Sequence, residues 1–145
     1  MLRYIFEIIF NNNINNMKGF FNECSNIISL DFSNFNTSNV TDMSGMFNEC
    51  HKLKEIKGIN KFNTNKVETF SGMFQNCYQL INLDLNFDTS NVTDMGFMFN
   101  KCNELKEIKG IDKFNTNKVI DMNAMFQECN NLISLNLNPL YFLII

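Results

Sequence analysis

The chain has no apolar run approaching the roughly 20 residues of a membrane-spanning helix. It has no excess of basic residues: 12 Lys and Arg stand against 15 Asp and Glu, for a net charge of −3. That balance argues against a nucleic-acid binder, which would show a basic face. It has no glycine-rich phosphate loop, no Gly-x-Ser-x-Gly and no His-Glu-x-x-His, so no catalytic constellation can be assembled from its motifs. None of its five cysteines lies near another, whereas zinc sites want ligand pairs about two to four residues apart. Tryptophan is absent and proline occurs once, against 16 Phe and nine Met. With 45% hydrophobic and 19% charged residues, a chain of 145 residues has the makings of one ordered domain.

The cysteines reveal what is there. Cys24, Cys50, Cys77, Cys102 and Cys129 are spaced by 26, 27, 25 and 27 residues, and each closes the same pattern. At −7, −4 and −3 lie Met17, Phe20 and Phe21; Met43, Met46 and Phe47; Phe70, Met73 and Phe74; Met95, Met98 and Phe99; Met122, Met125 and Phe126. With the Cys, these positions fall on one face of a two-turn helix. Short helices are therefore predicted near 43–49, 70–76, 95–101 and 122–128, with a frayed copy near 17–23. Asp42, Asp94 and Asp121 stand where they could cap three of them.

At +3 and +6 lie Ile27 and Leu30, Leu53 and Ile56, Leu80 and Leu83, Leu105 and Ile108, Leu132 and Leu135. This reads as a short strand with alternate side chains inward. Strands are predicted near 28–32, 54–58, 81–85, 106–110 and 133–137, in one parallel sheet. A turn opening on Phe35, Phe62, Phe87 or Phe114 follows, rich in the Asn, Asp and Thr that bond nearby backbone. From that Phe to the next Cys is always 15 residues, and from Cys to the second strand position always 6. Only the step between varies, so the loop after the strand absorbs the slack. A unit of roughly 26 residues cannot bury an apolar face alone and must stack on its neighbours.

The expected fold is thus an α/β repeat: a right-handed leucine-rich-repeat-type solenoid of about five such units. Residues 1–145 form one domain, with 1–16 an N-terminal partial repeat or cap, 17–138 the five repeats, and 139–145 an apolar tail or cap. Residues 1–10 are apolar, but Glu7 interrupts them and Asn11, Asn12 and Asn13 follow without a small-residue cleavage pattern. That favours a cap over a signal peptide.

Asn39-Val40-Thr41-Asp42-Met43-Ser44-Gly45-Met46-Phe47 closing on Cys50 is similar to the repeat of the BspA-like leucine-rich-repeat surface proteins. So are Leu80-Ile81-Asn82-Leu83-Asp84-Leu85 and Phe87-Asp88-Thr89-Ser90-Asn91-Val92-Thr93-Asp94-Met95. The resemblance covers about residues 14–138. It implies a solenoid, surface display, and adhesion or protein binding, with no catalytic residues to carry over. One departure is Phe97, which replaces the small residue seen as Gly19, Gly45, Gly72 and Ala124.

The cysteines are expected to be reduced packing residues, because helices in adjacent repeats would lie about 8–10 Å apart, beyond disulfide reach. His51, the single histidine, occupies a variable polar position and is expected at the surface. The Met and Phe stripes are expected to be core. No cofactor or metal is implied.

The strand face carries the most informative polar pattern. One row reads Asp31, Lys57, Asp84, Lys109, Asn136; another reads Ser29, Glu55, Asn82, Glu107, Ser134; the outermost reads Ile28, Lys54, Ile81, Lys106, Ile133. Odd and even repeats alternate, and opposite charges should meet along the ladder. Residues 53–67 and 105–119 differ only at Asn60 and Asp112, so the pair of repeats is the evolutionary unit. The face is therefore the candidate surface for an unidentified protein partner in a non-enzymatic interaction or adhesion module. The alternative is a structural or vestigial piece of a longer array. End-to-end self-association through the apolar ends, near 141–145, is a further expectation.

Overall fold

The computed structural model describes residues 14–133. Among them four short strands form: β1 (Ser29–Asp31), β2 (Glu55–Lys57), β3 (Asn82–Asp84) and β4 (Glu107–Lys109). They are parallel, and β1 pairs with β2 and β3 with β4 in the expected register. The predicted single sheet is thus two two-stranded pairs. The fifth predicted strand beyond Ile133, with Leu135, Asn136 and the tail at 139–145, lies outside the described residues, as does most of the predicted N-terminal cap.

The predicted helices do not form: the described residues contain no α-helix, and those segments are runs of turns. The reason lies in the backbone. Gly19 and Glu23, Gly45 and Glu49, Gly72 and Asn76, Phe97 and Lys101, and Ala124 and Glu128 all have φ between 52° and 61°. A left-handed residue at every fourth position cannot continue a right-handed helix. Alternate amides then leave the segment. Phe20, Asn22 and Cys24 donate to the carbonyls three residues back, while Met17, Gly19, Phe21 and Glu23 donate to Asp42, Ser44, Met46 and Asn48 of the next repeat. The same alternation recurs from repeat to repeat, and parallel bridges link Asn16, Asp42, Thr69, Asp94 and Asp121 in turn. The turn side therefore carries the continuous ladder that was expected on the strand side. With no helix to cap, Asp42, Asp94 and Asp121 each close a turn instead, accepting from the amide two residues on.

The variable loop also has a physical explanation. In even repeats the extra residues form one-turn 3-10 helices, Ile59–Lys61 and Ile111–Lys113, each entered through a left-handed glycine, Gly58 or Gly110. Odd repeats instead turn inward at Phe32 and Leu85, both buried.

Between the two sides runs a repeat-like core. Phe21, Phe47, Phe74, Phe99 and Phe126 stack ring on ring, with centroids 5.4–5.7 Å apart. Phe62, Phe87 and Phe114 form a second stack at 6.4 Å. Met17, Met43, Met73 and Met95 are fully buried beside them, as the sequence pattern requires, whereas Phe20 of the same pattern is 40% exposed and Met122 is half-buried. Buried Thr37, Thr64 and Thr89 each donate a hydroxyl to a carbonyl of the next repeat at 3.0 Å. Their polar atoms are thereby satisfied within the apolar interior.

Candidate interaction face

β1 to β4 each place one side chain inward and two outward. Leu30 is half-buried and Ile56, Leu83 and Ile108 are buried, while their strand neighbours are exposed. Register sets Asp31 beside Lys57 and Asp84 beside Lys109. Lys54 donates its amide to the Ile28 carbonyl and Lys106 to the Ile81 carbonyl, both at 2.8 Å, and Ile133 donates to Lys106 at 3.2 Å. The structure thus joins Ile28 to Lys54, and Ile81 to Lys106 and Ile133. Asn136 lies outside the described residues. The three isoleucines are 55%, 38% and 81% exposed.

The expected attraction along the charged row takes a looser form than direct pairing. Among the described residues, the ion pair closer than 4.0 Å is Lys101 with Glu128, at 3.9 Å and away from this face. Asp31 turns instead to its own loop, accepting from the Ser33 amide at 2.8 Å. Hydrogen bonds from Ser33 hold its carboxyl below the ordinary range, with Lys57 and Lys61 adding smaller contributions. Asp84 accepts from the Asn60 amide nitrogen at 3.3 Å. The ladder's charges therefore face solvent without neutralising contacts to one another.

The cysteines are free, but the expected helix-packing distance is not the reason. Successive repeats are joined by hydrogen bonds on the turn side, so they lie closer than packed helices would. Equivalent residues on parallel neighbours carry side chains in the same direction about 4.8 Å apart, whereas a disulfide needs converging Cβ atoms about 3.8 Å apart. Each thiol from Cys50 to Cys129 donates to the carbonyl oxygen of Phe21, Phe47, Phe74 or Phe99 in the preceding repeat. Burial pushes the Cys50 thiol up to about 12 and the Cys129 thiol up to about 11. Such thiols are poor nucleophiles and poor metal ligands. Among the described residues no cluster of three or more His, Cys, Asp or Glu could hold a metal ion, and no helix is long and apolar enough to cross a membrane.

Two features escaped the sequence reading. His51 is half-buried rather than fully exposed, and its ring stacks on Tyr78 at 4.8 Å. A shallow groove of about 690 Å³ crosses four repeats on the turn side, floored by Gly19, Gly45 and Gly72 and ended by Phe97. Its sequence signal was the small residue five before Cys24, Cys50 and Cys77, and its end the Phe97 that replaces it before Cys102.

No curated protein and no solved structure matches the chain. A family model does match, over residues 10–108 and again over 79–138, and the two matches together span nearly all of the repeat array. The chain belongs to that family, described as Mycoplasma protein of unknown function, DUF285.

Proposed function

We propose that the chain is a non-enzymatic protein-interaction module of the surface-adhesion kind that its repeat resembles. In this reading the repeats form a right-handed leucine-rich-repeat-type solenoid that presents its strand face to a partner. Regular hydrogen bonding between repeats and the five-ring phenylalanine stack support the solenoid.

One observation carries the functional reading. Ile28, Ile81 and Ile133 stand exposed in the same row as Lys54 and Lys106, beside a mixed-charge row. The fold has ample buried positions for isoleucine, yet this row keeps its apolar side chains outside. An apolar centre rimmed by charge is the anatomy of a contact surface.

The immobilised chain and its Ile81→Glu variant, each offered the surface proteins of the source cell, test this. The wild-type chain should retain a partner that the variant releases, with melting temperatures within a few degrees. Equal retention by both chains would overturn the strand-face reading.

A further inference from the structure

Over its four described strands, the charged row of the strand face has a property that a random mixed-charge patch lacks: read backwards, it is its own complement. From β1 to β4 it runs Asp31, Lys57, Asp84, Lys109, alternating in sign over an even number of strands. A two-fold interface sets a surface against its own copy in reverse order. We infer that this face docks on the same face of a second copy of the chain, across a two-fold axis parallel to the strands and passing between β2 and β3. The inference rests on the strand face being the contact surface, and it names the occupant.

The pairing follows residue by residue. Asp31 meets Lys109 of the second copy, and Lys57 meets its Asp84; the axis repeats both contacts. In the neighbouring row Ser29 meets Glu107 and Glu55 meets Asn82, so each carboxylate faces a neutral hydrogen-bond donor. In the outermost row Ile28 meets Lys106 and Lys54 meets Ile81, where an isoleucine packs on an alkyl stem whose ammonium reaches past it to water. Across the four described strands, no position of the three rows meets a like charge.

The alternation also fixes register. A slip of one repeat sets Lys57 against Lys57 and Asp31 against Asp84, or Asp84 against Asp84 and Lys57 against Lys109. The other two-fold in the plane of the face, along the stack, sets Lys57 against Lys54 and Lys109 against Lys106. Both arrangements bring like charges together across the row. The charges are available for such contacts, because among the described residues none on this face has an ion-pair partner within 4.0 Å. The axis also falls where the sheet itself divides, between the two strand pairs. Three-residue strands give a small patch, at the low end of interface sizes, below about 1,200 Å². The dimer is therefore of the weak kind, and it loosens as salt shortens the range of charge attraction.

Sedimentation equilibrium of the purified chain tests this, at low and high ionic strength. Wild type should associate reversibly to a dimer at low salt and dissociate as salt rises. Lys57→Asp and Asp84→Lys each create two like-charge contacts across the axis, and each should weaken association by about tenfold or more. Mixing the two variants should restore the dimer. The carboxylate introduced at position 57 of one chain then faces the ammonium introduced at position 84 of the other, and the second contact keeps its unaltered Asp84 and Lys57. The double variant in one chain should dimerise as wild type does. Thermal melts establish that each variant is folded. A wild type that stays monomeric at millimolar concentration and low salt, or a mixture no more dimeric than its components, overturns the inference. A monomeric chain that still loses a captured partner on Ile81→Glu would leave the protein-interaction reading standing and remove only the second copy as occupant.

Discussion

The thiol of Cys77 donates to the carbonyl oxygen of Phe47, one repeat back, at 3.1 Å. Cys50 and Cys102 do the same to Phe21 and Phe74. The neutral S–H is the form that fits: a thiolate would lose its hydrogen bond and sit unsolvated among phenylalanine rings. Burial raises the Cys77 and Cys102 values well above the ordinary 9.0, and takes Cys50 to about 12. With the folded value raised, the stability that this contributes is fully present below about pH 9. It is lost as pH climbs toward the folded value. The melting temperature should therefore fall as pH rises from about 9 toward 11, and Cys77→Ala should flatten that fall. An identical slope in the variant would show that Cys77 does not carry the effect.

The same ladder orders thiol reactivity. Cys50, Cys77 and Cys102 are buried, while Cys24 and Cys129 are half-buried. Without reductant, the denatured chain should yield five free thiols to a colorimetric reagent. The native chain should react in two phases, Cys24 quickly and the four thiols that donate to carbonyls only as fast as the fold opens. A denatured count below five would reveal a disulfide.

Much of this was legible in the sequence, and the rest was hidden for identifiable reasons. Strand register was readable because alternation at Leu30, Ile56, Leu83 and Ile108 admits one inward face. The core was readable because Phe47 and Phe74 recur in step with the cysteines. The helices were misread because Met43, Met46, Phe47 and Cys50 satisfy a 3.6-residue period. The same spacing also suits a chain that turns back every fourth residue. Gly19, Gly45 and Gly72 were the warning, since each takes a φ near 60°. At Phe97 and Ala124 the fold imposes that conformation without a glycine. The charged row was visible, but its lack of direct ion pairs was not, because side-chain choices such as Asp31 to Ser33 are local.

Two glycines with the same left-handed backbone should respond very differently to a methyl group. A Cβ at Gly45 would meet only Asn48 Cβ at 3.8 Å, so Gly45→Ala costs the backbone conformation alone. That is about 1 kcal/mol. A Cβ at Gly110 would run into the Leu85 backbone carbonyl, which cannot swing aside as a side chain can. Gly110→Ala should cost more than about 3 kcal/mol by adding a forced shift of β4 against β3. Chemical denaturation of both variants decides it, and equal losses would mean that the loop at Gly110 moves freely.

The middle of the ring stack and the edge of the turn side offer a second contrast. Phe74 is fully buried and stacked between Phe47 at 5.5 Å and Phe99 at 5.6 Å. Phe74→Ala removes two ring contacts and leaves a cavity bordered by hydrogen-bonded backbone that cannot collapse inward. It should cost about 3–5 kcal/mol. The sequence places His51 at a variable surface position, where truncation should cost less than about 0.5 kcal/mol. Its stack on Tyr78 raises that expectation to about 0.5–1 kcal/mol. The distinction is measurable in a double-mutant cycle. If His51 and Tyr78 stabilise the chain through their ring contact, His51→Ala should cost almost nothing in a Tyr78→Ala background. An undiminished loss there would place the contribution of His51 in its backbone turn rather than in the stack.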